Sequence, residues 1–372
     1  MLRERNLFLR LAICSIFCLC LLQLIGCNKS PTEPSREPVD LSAALPTASP
    51  ESQRIDASQL AAAFNHARQT GGLRSLLVAR NGRLVAEEYY GNYDATRLNH
   101  VRSVTKSVIS ALIGVAIDKG FIKSVDQTLA DYPLPVTGSL DQQKRQISIR
   151  HLLTMTSGLQ WNEIGGPEYS TWISSGDQID YVLQKPFVAT PGQQFNYNSG
   201  AVHLLSVVLT KATGMNTLAF ADEYLFVPLG ITEKRWQQVS GGYYNGGAGL
   251  ELLARDMVKL GLLFLQNGFS GKQPIIPAGW VAQATQTQQR LGFAYSAMNN
   301  VNYGYLWWLD SGQSRPAFLA WGYGGQFIYC VPALNLVIVT TSQWQFSAAD
   351  ADQQEIANLN LIITHIIKSV KS

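Results

Sequence analysis

The chain predicts an α/β fold of the α+β kind: an antiparallel β-sheet flanked by helices, with a mostly helical subdomain inserted into it. Two β-type runs stand near the start, at Leu73–Ala79 and Arg83–Tyr90, and strand character returns only near the end, at Tyr303–Leu309, Gln326–Val331 and Leu336–Thr341. Between them the apolar residues recur mostly at helical spacing, which makes about 121–300 the helical insertion. A sheet assembled from both chain ends satisfies this order.

With 372 residues, 46% of them hydrophobic and 15% charged, the chain can bury the core of one large domain or two smaller ones. Residues 1–26 read as an export signal, with Arg3, Arg5 and Arg10 ahead of an apolar run from Leu11 to Ile25. A membrane span is the alternative, for which that run is short. Leu24-Ile25-Gly26-Cys27 resembles a bacterial lipobox. The resemblance implies that Cys27 carries a lipid, which would anchor the protein in the cell envelope. Asn28 after it favours the outer membrane, on the periplasmic side. Residues 27–54, rich in Pro and Ser, are expected to be a flexible tether, and 55–372 to be the folded domain.

Cys14, Cys18 and Cys20 leave with the signal and Cys27 is taken by lipid, so Cys330 alone remains and no internal disulfide can form. The formal net charge is +3, of which +2 belongs to residues 1–26, so nothing suggests a nucleic-acid partner.

Within the folded part, Leu60, Ala63 and Phe64 predict an amphipathic helix over Asp56–Gln69. Asn81-Gly82 joins the two early strands as a hairpin, because both turn residues tolerate positive φ. Further helices are expected at Ser103–Lys119, stopped by Gly120, at Ala201–Thr213, at Leu252–Gly268 and at about Asp350–Ile367.

The Ser103–Lys119 helix poses a chemical question. It is uncharged from Ser107 to Ile117, yet Lys106 stands at its head, three residues after Ser103. That spacing puts the two side chains on one face of the first turn. Partial burial would push the ammonium toward neutrality, and a neutral amine beside a hydroxyl is what a serine nucleophile requires.

Ser103-Val104-Thr105-Lys106 opening a buried helix resembles the serine β-lactamase and penicillin-binding protein superfamily. The continuation "ISIRHLLTMTSGLQW" from Ile147 resembles the branch of class C β-lactamases, related carboxylesterases and 6-aminohexanoate-dimer hydrolases. The resemblance spans roughly Gly72 to Val339. It implies that Tyr197, in "PGQQFNYNSG", shuttles protons between Ser103, the leaving group and water. It puts Ser199 where the branch has a substrate-binding asparagine.

The superfamily's Lys-Thr-Gly on an edge strand is replaced here by Ala320-Trp321-Gly322. Gly322 lets substrate approach the backbone, and the N–H of Tyr323 is expected to join that of Ser103 as an oxyanion hole. The missing lysine, which grips substrate carboxylates in the superfamily, makes neutral esters and amides the expected substrates. Trp161, Trp307, Trp308, Trp321 and Tyr323 are candidates for an aromatic pocket, Trp161 and Trp321 for substrate binding.

No G-x-S-x-G elbow occurs and the strands do not alternate with helices, which speaks against an α/β-hydrolase. The five histidines, His66, His100, His151, His203 and His365, form no metal-ligand pair, and no metal or organic cofactor is expected. His151 is expected to pack or cap within its helix. The expected activity is hydrolysis of a small-molecule ester or amide, or of a peptide-like substrate, through an acyl-enzyme. A β-lactamase or D-alanyl-D-alanine peptidase is one rival reading, and a non-catalytic envelope ligand-binding lipoprotein on the same fold is another.

Overall fold

The computed structural model describes residues 37–138, 140–345 and 347–371. The expected export signal and the lipidated Cys27 lie outside the described residues. The continuous apolar run Leu76–Ala79, buried on both faces, and the Asn81-Gly82 turn, both residues at positive φ, give a hairpin of β1 (Leu73–Arg80) and β2 (Arg83–Tyr89) after helix α1 (Ala57–Gln69). Then come α2 (Val104–Asp118), α3 (Ser199–Thr213) and α4 (Ala254–Leu265). The chain ends through β3 (Gln289–Tyr295), β4 (Met298–Tyr303), β5 (Trp308–Asp310), β6 (Ala317–Gly322), β7 (Gln326–Val331), β8 (Leu336–Ser342) and helix α5 (Ala348–Asn360).

The strands form one antiparallel sheet in the order β2-β1-β8-β7-β6-β5-β4-β3, so the first hairpin docks on the last strand. Helix α4 packs on β8, β7 and β1, while α2 lies between β6 and α3. Every residue of α2 from Val104 to Ala116 is buried, which fits a core helix apolar on all sides. Gly114 permits the packing: a Cβ there would come within 2.4 Å of the Trp280 ring.

Three expectations need correction. The helical insertion ends earlier than about residue 300, because Gln289–Tyr295 is already a strand of the main sheet. Its alternation was hidden by exposed polar residues and Gly292. The segment expected to be a loose tether as far as Arg54 is packed on the body from Val39 onward. Leu41 is fully buried, the Val39 N–H donates to Gln266 Oε1 at 2.9 Å, and Leu84 exchanges hydrogen bonds with Pro46 and Ala48 at 2.8 and 3.0 Å. Prolines in that stretch suit an extended strap along a sheet edge as well as they suit a linker. Finally, β6 is an inner strand. Because β5 pairs only with Ala317, Phe318 and Leu319, the Ala320–Gly322 half of β6 still has one open edge.

Candidate active site

Ser103 is the N-cap residue of α2, but its hydroxyl makes no capping bond and so is free for other partners. Lys106 in the first turn reaches it: Nζ lies 2.8 Å from Ser103 Oγ, 2.8 Å from Ser199 Oγ and 2.6 Å from the Gly247 carbonyl oxygen. The side chain is 1% exposed and has no carboxylate in direct contact among the described residues. Burial lowers its pKa to about 8, against the negative charge of Glu163 and with help from the positive charge of Arg102.

The hydrogen count limits what this lysine can do. Ser199 Oγ donates to Glu163 Oε1 at 2.6 Å, so toward Lys106 it can only accept. The Gly247 carbonyl is an acceptor as well. An ammonium donates to all three neighbours. A neutral amine gives its two hydrogens to Ser199 and Gly247, which leaves its lone pair facing the Ser103 hydroxyl. At pH 7 about a tenth of the molecules hold the neutral form.

Gly247 is required where it stands, since a Cβ would lie 2.7 Å from the Ser199 carbonyl oxygen. Ser199 opens α3 beside its N-cap, Asn198, whose Oδ1 accepts from the Ala201 N–H at 2.8 Å. Thus two helix starts and one glycine loop converge on a single nitrogen.

Tyr197 completes the group. Its ring centroid is 4.8 Å from Lys106 Nζ, and its hydroxyl is hydrogen-bonded to Ser103. Burial, followed by the charge of Glu163, raises the phenol far above its ordinary value, with the Ser103 bond opposing. The resting form is therefore a neutral phenol.

The open half-edge of β6 carries Trp321 and Gly322, and Tyr323 begins the following turn. Among the described residues neither the Ser103 nor the Tyr323 N–H is taken up by a backbone acceptor. Helix α5 steadies the turn: Glu355 accepts from the Gly324 N–H at 2.7 Å and from Trp321 Nε1 at 2.8 Å, and burial lifts its carboxyl to about 7.

The aromatic candidates divide. Trp308 stacks on Tyr197 at 5.8 Å and meets Trp321 at 5.3 Å, while Phe293 on β3 stands exposed against Trp308 at 6.1 Å. Trp307 is 2% exposed and packs on Phe264 and Phe318, so it is core. Trp161, expected on the substrate face, is 5% exposed, packs on Trp172 and Tyr181, and uses its indole N–H on Glu163 Oε2 at 2.9 Å. Its part is to hold Glu163. His151 caps its own helix, exchanging bonds with Ser148 at 3.1 and 3.2 Å. Sequence reasoning missed Glu163 and Gly247. The only local sign of Gly247 is the glycine-rich "NGGAG" at 245–249, and Glu163 has none.

Sheet, buried helix and Ser-x-x-Lys turn together define a hydrolase of the penicillin-recognising architecture. The Beta-lactamase family model matches residues 57–361, and the chain belongs to that family. It is 25% identical over 291 residues to the 6-aminohexanoate-dimer hydrolase of Paenarthrobacter ureafaciens, covering 73% of this chain and 72% of that protein. It is 24% identical over 184 residues to penicillin-binding protein 4* of Bacillus subtilis, covering 43% and 37%.

Among solved structures, a Bacillus anthracis protein provisionally described as a 6-aminohexanoate-dimer hydrolase superposes with a TM-score of 0.71 at 20% identity, covering 90% of this chain and 91% of that one. EstCE1, described as a hydrolase with promiscuous acyltransferase activity, gives 0.64 at 18% identity, covering 83% and 99%.

Proposed function

We propose that this hydrolase is a serine enzyme that cleaves an ester or amide bond through an acyl-enzyme. Ser103 Oγ attacks the substrate carbonyl and its proton passes to the Lys106 lone pair. The carbonyl oxygen becomes an oxyanion, which accepts from the N–H groups of Ser103 and Tyr323. On collapse the carbon–oxygen or carbon–nitrogen bond breaks, and the leaving group takes the proton through Lys106 and Tyr197. Water then attacks the acyl-serine, giving its proton back along the same groups, and the acid departs as Ser103 is restored.

The observation that carries this reading is the three-way placement of Lys106 Nζ, which directs a lone pair at one hydroxyl. The neutral phenol of Tyr197 suits a relay that accepts one proton as it donates another. The named relatives, an amide hydrolase and an acyltransferase-competent hydrolase, support acyl transfer at carbonyl carbon.

A fluorophosphonate probe is expected to label the wild type and not Ser103→Ala, whose turnover of a p-nitrophenyl ester falls by about 10⁴-fold or more. Equal labelling of the two removes Ser103 as nucleophile. Stable penicillin adducts with poor cephalosporin turnover would favour a D-alanyl-D-alanine peptidase instead, and rapid turnover of both a β-lactamase. We also infer that the enzyme works in the cell envelope. Cys27→Ser is expected to release it from membranes, and retention would refute lipid attachment.

A further inference from the structure

Next to the nucleophile stands a cation that the reaction as described does not use. Arg102 has φ 53°, the left-handed region in which an L-residue is strained. The conformation is held from both sides: the Arg102 N–H donates to His100 Nδ1 at 3.2 Å, and the backbone of β6 passes so close that a Cβ on Gly322 would lie 3.2 Å from that of Arg102. Strain tolerated at this position places one long side chain among three aromatic rings.

The guanidinium carbon lies 4.7 Å from the ring centre of Trp344, 5.4 Å from that of Tyr169 and 5.8 Å from that of Tyr323. Those rings come from three separate segments of the chain. Its positive charge reaches the groups of the site, acting on Lys106, Tyr197, Tyr169 and Tyr323.

What it lacks is an anion. Arg68, Arg150 and Arg255 each pair with a carboxylate, whereas Arg102 has no carboxylate partner among the described residues, and its buried Nε–H has no acceptor. Aromatic faces screen a guanidinium above and below but leave its in-plane N–H groups without acceptors. The group that fits a planar fork of donors is a carboxylate, bound by two parallel hydrogen bonds.

We propose that Arg102 is the anion subsite of the enzyme and that the substrates are esters or amides bearing a free carboxylate near the scissile carbonyl. The proposal rests on the serine-hydrolase reading above and reverses the expectation of neutral substrates. The strand lysine is absent, and a cation on the nucleophile's own turn occupies the cleft instead.

The test compares two p-nitrophenyl esters of equal length, the hemiester of glutaric acid and its neutral methyl-capped counterpart. Wild type is expected to favour the carboxylate by at least tenfold in kcat/KM, mainly through KM. In Arg102→Gln that preference collapses toward unity, and Arg102→Lys restores part of it.

A measurement on the unaltered enzyme stands beside these variants. Monomethyl glutarate should inhibit competitively at least tenfold more strongly than dimethyl glutarate, with the advantage shrinking as salt rises. Equal kcat/KM for the two esters in wild type, equal inhibition by the two glutarates, or a preference that survives in Arg102→Gln overturns the proposal. Hydrolysis of either ester by Ser103→Ala would instead overturn the underlying serine mechanism, so the two failures are separable.

Discussion

Among the described residues two lysines are buried on helices, and their surroundings differ. Lys259 on α4 lies 4.0 Å from the Asp256 carboxylate on the same helix and donates to the Leu229 carbonyl at 2.8 Å. Lys106 on α2 meets two hydroxyls and a carbonyl, and the carboxylate of Glu163 reaches it only through Ser199. Burial lowers both ammonium groups and raises Asp256 to about 6, but Asp256 opposes the effect at Lys259 directly. A charge answered at first hand fixes a helix in place. A charge answered at second hand is easily given up, and that is the property a general base needs.

The sharpest break of this comparison replaces each lysine by methionine. Lys106→Met is expected to lose about 10³-fold or more in kcat/KM while its circular dichroism stays native. Lys259→Met leaves Asp256 buried and alone, which costs about 3 kcal/mol of stability. It is expected to melt at lower temperature yet turn over ester within about threefold of wild type. Equal activity losses would mean that both lysines are only structural.

A smaller effect tests the second-hand charge. In the proposed mechanism the active form of Lys106 is the unprotonated one, so kcat/KM should rise about tenfold per pH unit up to a limb near 8 and level off above it. Glu163 favours the ammonium. Glu163→Gln should therefore move the limb to lower pH, and it should lower the plateau about tenfold because the Ser199 hydroxyl is no longer held as an acceptor. A limb that stays in place would detach Glu163 from the lysine.

The mildest change is Gly247→Ala, whose Cβ would meet the Ser199 carbonyl oxygen at 2.7 Å and shift the loop carbonyl away from Nζ. A loss of about threefold to tenfold in kcat is expected, with KM near wild type. An unchanged kcat would remove that carbonyl from the account.

The contact between Ser103 and Lys106 was legible because a helix fixes the relation between positions 103 and 106. Tyr197 was legible from its Pro-Gly turn and the family motif, and the first hairpin from Asn81-Gly82. Glu163 was not, because it meets Ser199, 36 residues away in sequence, through a loop with no local pattern. Strands β3 and β4 were obscured by Gly292, Asn299, Asn300 and Asn302, residues that strands disfavour; β3 is the edge strand of the sheet and β4 its inner neighbour. The strap from Val39 was misread because proline enrichment marks a linker and an edge-hugging segment alike. Only Leu41, buried without any periodic neighbour, separates the two.

That strap also changes how the molecule meets copies of itself. β2 is an outermost strand, and such strands invite intermolecular pairing. Here Pro46 and Ala48 already occupy the N–H and carbonyl of Leu84, and Glu87 and Glu88 further along are held by Arg255 and Arg68. A neighbouring molecule seeking a vacant backbone row at that margin meets proline first and fixed charge next. The strap thus shields that margin against fibril-like stacking of the sheet.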